Sequence, residues 1–80
     1  MNARAYVLIE TSGGMSQSVA ASLRTMPGVL MVDAVTGPYD VIAVIQAGNI
    51  NDIGRLVLNE IHGQRGVVRT MTSIALEPTA

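Results

Sequence analysis

YDVIAVIQA, residues 39–47, is the most apolar run of the chain, and its reading decides the fold. Val41, Ile42, Val44 and Ile45 are β-branched, as strands favour. Apolar residues follow one another without alternating with polar ones, the mark of a strand covered on both faces. Working outward, AYVLIE (5–10) carries the same two-sided pattern, and VLMVDAVT (29–36) and VVRTMTSIAL (67–76) also read as strands. Between the first two strands, Met15, Val19, Leu23 and Met26 recur at helical spacing behind Gly13-Gly14, which predicts a helix over 15–26. Pro27-Gly28 stops it. A second helix is predicted over 50–62, with Ile50, Ile53, Leu56, Val57 and Ile61 on one face. Asn49 followed by Asp52 suits its start, and Gly63 its end.

The order is therefore βαββαβ, and an internal repeat supports it. Shifted by 38 positions (28 to 66), the halves superimpose in pattern: Val7 on Ile45, Met15 on Ile53, Val19 on Val57, Leu23 on Ile61, Gly28 on Gly66. Each half is one βαβ unit. Two such units give an α+β, ferredoxin-like fold, a four-stranded antiparallel sheet with both helices on one face. Those helices cover only one side of strands that are apolar on both. A second sheet is expected to cover the other, giving a homodimer packed sheet against sheet as a dimeric α/β barrel.

The 80 residues make a single domain, 1–80, and 49% of them are hydrophobic, with a mean hydropathy of +0.40. So small a domain gains much from oligomerisation. A net charge of −1, with five Arg and no Lys, gives no electrostatic footprint for nucleic acid or an anionic membrane. Absent Cys excludes disulfides and thiolate chemistry, and a lone His argues against a protein-only metal site. No apolar run has the length of a signal core or a membrane span, so the expected setting is cytoplasmic. Recognition of RNA on such a sheet needs stacking aromatics and basic residues, and this chain has no Phe and no Lys.

Catalytic machinery is not legible. Glu10, Asp33, Asp40, Asp52, Glu60 and Glu77 show no paired spacing for acid–base work. SGG at 12–14 lacks the remaining positions of a phosphate loop and reads as a helix entry. His62 closes the second helix, where a helix dipole favours it. No cofactor is called for, and the expectation is a protein that is not an enzyme. What remains is TGPYD, 36–40. It has two readings: an ordinary turn, or the wall of a small-molecule pocket. Gly37 would supply backbone donors, Tyr39 an aromatic surface and Asp40 an acceptor, groups that suit a free amino acid. The residues alone leave both open.

PGVLMVDAVTGPYDVIAVIQA (27–47), with its Gly-x-Tyr-Asp turn, and INDIGRLVLNEIHGQRGVVRTMTSIAL (50–76), with its Gly-Val and Thr-x-Thr, resemble the effector-binding (RAM) domain of the Lrp/AsnC regulators of amino-acid metabolism. The resemblance covers essentially the full length. It implies a βαββαβ fold, sheet-to-sheet dimers that often join into octamer-like rings, and an amino-acid effector bound between dimers. Gly37, Tyr39 and Asp40 match the family turn and would hold the effector's ammonium and carboxylate. Thr70 and Thr72 match the last-strand threonines, and His62 a helix-end position able to face the ligand. Pro38 replaces a more usual polar residue and removes an N–H donor.

Full regulators of that family also carry a helix-turn-helix domain. This chain starts a few residues before its first strand, and Met1-Asn2-Ala3 resembles a natural start. The chain is then either a stand-alone effector domain or a truncated piece of a longer regulator; the stand-alone form is expected not to bind DNA directly and to act by hetero-association with full-length Lrp/AsnC regulators. Two other readings remain: an oligomerisation module with a vestigial pocket, and a small dimeric α/β-barrel enzyme. For such an enzyme the chain has few His or aromatic residues.

Overall fold

In the computed structural model, residues 2–76 are described; Glu77 lies outside them. The β-branched runs become β1 (Ala3–Thr11), β2 (Val29–Ala34), β3 (Val41–Ala47) and β4 (Val67–Ile74), and the helical spacing becomes α1 (Ser16–Arg24) and α2 (Ile50–Arg55). The strands form one antiparallel sheet in the order β2-β3-β1-β4. With the βαββαβ chain order, this is the ferredoxin-like arrangement. The two-sided strands β1 and β3 lie at its centre.

Side-chain alternation sorts the sheet into two faces. Ala5, Val7 and Ile9 of β1 and Val41, Ala43 and Ile45 of β3 are fully buried, and they meet Val19, Ala20 and Leu23 of α1 and Ile53 of α2 in one core. The alternate residues Tyr6, Leu8, Ile42 and Val44 face away from the helices and are at most partly buried. Burial follows the internal repeat: Val7 and Ile45 are fully buried, as are Leu23 and Ile61. Gly28 and Gly66 both take positive φ, +88° and +97°, at the entries to β2 and β4. Such a backbone suits glycine. A Cβ on Gly66 would also lie 3.1 Å from Val19 Cγ2.

The second helix differs from the single α-helix expected over 50–62. Asn49 caps it as predicted, its side chain accepting the Asp52 N–H at 2.8 Å. After Arg55 the chain continues as a π-helical segment, Leu56–Ile61, closed where the His62 N–H donates to the Val57 carbonyl at 2.7 Å. Ile53, Val57 and Ile61 are four apart, and all three are buried. An α-helix advances such residues steadily around its axis, since four exceeds its 3.6 per turn. The wider winding reverses that drift and returns Ile61 to the sheet. Ile50, expected on the core face, is exposed.

Candidate functional site

The site begins with a tertiary offset. α2 packs over β3 and β1 rather than over the edge strand β4. The helix-facing side of β4 is left partly bare, and a groove of about 400 Å³ runs between them. That volume lies within the range of small-ligand sites. Ile50, Ile53, Gly54, Val57 and Leu58 form one wall, and Thr70, Thr72 and Ile74 the other. Two threonine hydroxyls are the polar side-chain groups among these residues, and no ionisable side chain lines the groove. Thr70 and Thr72 pair in register with Ile9 and Val7 of β1, which points them to the helix side.

The turn before β3 is tied down by Asp40. Its N–H donates to the Ile9 carbonyl at 2.9 Å, and its carbonyl accepts the Val35 N–H at 2.8 Å. Its carboxylate Oδ2 accepts the Thr11 N–H at 2.8 Å. One residue therefore joins the β2–β3 connection to the end of β1. Gly37 is exposed with φ +129°, a conformation that requires glycine. Tyr39 is half-buried, and its hydroxyl lies 3.5 Å from Met71 Sδ on β4. Met71 faces away from the helices, between Thr70 and Thr72 along the strand.

The structure thus gathers the sequence-predicted residues into separate groups. Thr70 and Thr72 share the groove; Gly37, Tyr39 and Asp40 share the turn, whose tyrosine reaches toward the opposite face of β4. His62 is exposed at the end of the π-helical segment and is not among the groove residues. Because the second helix runs antiparallel to β3, His62 and Asp40 occupy the same end of the sheet. Sequence reasoning did not single out Ile50, Gly54, Leu58 and Ile74, which line the groove. The available signal was a second stripe, Ile50, Gly54 and Leu58, parallel to the core stripe Ile53, Val57 and Ile61.

Charged groups sit elsewhere. Arg69 and Glu10 pair at 2.9 Å on the face away from the helices, and Arg55 and Asp52 pair at 2.9 Å on the exposed side of α2. Among the described residues, no three His, Asp or Glu side chains converge on a metal position, and no helix is long and apolar enough to cross a membrane.

Comparison with known proteins agrees with this architecture. The family model of the Lrp/AsnC ligand binding domain matches residues 4–80. The chain is 34% identical over 74 residues to the uncharacterized HTH-type transcriptional regulator PH1916 of Pyrococcus horikoshii, covering 89% of this chain and 49% of that one. It therefore spans about half the length of the curated relatives it matches. The crystal structure of TTHA0845 from Thermus thermophilus superposes with a TM-score of 0.89 at 31% identity, covering 98% of each chain. The Neisseria meningitidis transcriptional regulator NMB0573, solved as an L-Met complex, superposes with a TM-score of 0.83 at 24% identity, over 98% of this chain and 52% of that one, a likeness of fold.

Proposed function

The chain belongs to the Lrp/AsnC ligand binding domain family, and from that premise we propose that it is a sensing module that binds a free amino acid and modulates transcription by associating with DNA-binding regulators of the family. The observation that carries the reading is the groove beside β4. It is small-molecule sized and apolar, and it offers the Thr70 and Thr72 hydroxyls as hydrogen-bonding groups. Gly37, Tyr39 and Asp40, together with His62, stand at one end of the same sheet and would complete the effector site at a contact between subunits. The Neisseria regulator of similar fold was solved in complex with a free amino acid, L-Met, which supports this reading.

Assembly belongs to the same proposal. A homodimer packed through the helix-free face of the sheet would cover Tyr6, Met31 and Met71, which are about half exposed in the single chain. Such dimers would join further into an octamer-like ring. One observation favours a second reading, an oligomerisation module with a vestigial pocket: the Asp40 carboxylate already accepts a backbone N–H. Titration calorimetry with each standard amino acid decides between them. Saturable heats for at least one amino acid support the sensing module. Flat titrations throughout, from a protein that is folded and oligomeric, support the second reading.

A further inference from the structure

We infer that the groove beside β4 selects an amino acid with an aliphatic or thioether side chain, and that Gly54 is the residue that keeps it open. The inference rests on the amino-acid-binding reading and goes beyond it by naming the ligand class and a specificity residue.

Gly54 needs an explanation because it sits inside α2, where glycine is the least favourable residue after proline. Glycine is otherwise required where φ is positive or where a Cβ would collide. Gly66 meets both conditions, with φ +97° and a built Cβ 3.0 Å from Met15 Cε. Gly54 meets neither: it is not among the positive-φ glycines, and a Cβ built on it meets nothing within 4 Å. Neither backbone nor packing demands the glycine. The remaining consequence of the missing side chain is width, because Gly54 lines the groove on the same stripe as Ile50 and Leu58. Any larger residue there would fill space that is now free.

The chemistry of the walls names the occupant. Ile50, Leu58 and Ile74 are exposed apolar side chains around the groove, and an apolar guest removes their surface from water together with its own. A carboxylate or ammonium in the same place would lose hydration and find no opposite charge, since no ionisable group lines the groove. The ammonium and carboxylate that all candidates share stay hydrated at the open side of the groove, where the Thr70 and Thr72 hydroxyls offer hydrogen bonds, and only the side chain enters between the apolar walls. Discrimination therefore falls on the side chain.

Calorimetry and light scattering on the full chain, with alanine, leucine, methionine, aspartate and lysine as probes, test this. The wild type is expected to bind leucine or methionine about 10-fold or more tightly than alanine, the discrimination that apolar pockets achieve, with aspartate and lysine weaker still. Gly54→Leu is expected to weaken leucine and methionine by about 10-fold or more. Its melting temperature should hold or rise, because leucine is a better helix former. The smaller Gly54→Ala provides an intermediate step in both readouts. A wild type that prefers aspartate or lysine overturns the inference and leaves the sensing module standing. So does a folded Gly54→Leu that binds leucine as the wild type does. If Gly54→Leu changes the oligomeric mass and not the affinities, the groove holds a second copy of the chain, and the inference falls. A wild type that binds none of these amino acids or any other removes both readings together.

Discussion

At the scale of single residues, Asp40 carries the sharpest conflict between structure and function. The sequence offered its carboxylate as a ligand acceptor, and the fold already employs it to hold the Thr11 N–H across 29 positions of chain. Removing it by Asp40→Ala leaves that half-buried N–H without its partner. Unfolding in urea is expected to show a loss of about 1–2 kcal/mol, toward the lower end for a hydrogen bond to a charged group because the site is partly exposed. The role as a ligand acceptor is separable. Asp40→Asn keeps an oxygen for Thr11 and removes the charge that an ammonium would pair with. That variant is expected to unfold near the wild-type midpoint while binding amino acids more weakly. Equal losses of stability in both variants would show that the charge itself, rather than the acceptor, holds the turn. An Asp40→Asn protein with undiminished affinity would remove Asp40 from the proposed ligand site.

At the scale of elements, strands and helices were legible because they are written in local periodicity. β1 and β3 followed from their β-branched runs, and α1 from Met15, Val19 and Leu23, with its ends trimmed to Ser16–Arg24. The π-helical segment was not legible. The spacing of Ile53, Val57 and Ile61 fits an α-helix as well, and only packing against the sheet selects the wider winding. The groove was illegible for a related reason: it arises from the lateral offset of α2 from β4, and no local pattern encodes an offset. The hydroxyls lining it were readable, since Thr70 and Thr72 alternate on a strand, but their aliphatic partners looked like surplus core. α2 is short, so its cap matters. Asn49→Ala removes the acceptor for the Asp52 N–H, and a thermal melt should register a cost of about 1 kcal/mol. Asn49→Asp, which keeps a capping oxygen, should recover most of it. If Asn49→Ala melts as the wild type does, packing of Ile53 and Val57 alone holds the helix start.

At the scale of the whole molecule, the sheet has one face covered except along β4 and one face bare. α1 and α2 cover the first over β1, β2 and β3, while Tyr6 remains 40% exposed, Met31 56% and Met71 54% on the second. Adjacent residues of β3 report on the two faces separately, because successive side chains of a strand point to opposite sides. Ile45 is fully buried under the helices. Ile45→Glu would place a charge in the core without a partner, at a cost of several kcal/mol, so this variant is expected to lose its cooperative thermal transition. Val44 is half-buried on the bare side, between Tyr6 and Met31 in the register. Val44→Glu lets the single chain keep its core and its helices, since the new carboxylate can reach water. In a sheet-to-sheet dimer the same change brings like charges together at an apolar contact. The expected result is retained circular dichroism with a light-scattering mass falling toward the 8.4 kDa of one chain. A wild type already at that mass would end the sheet-to-sheet proposal. A Val44→Glu protein that stays oligomeric would move the subunit contact elsewhere, with the exposed stripe of Ile50 and Leu58 the next surface to test.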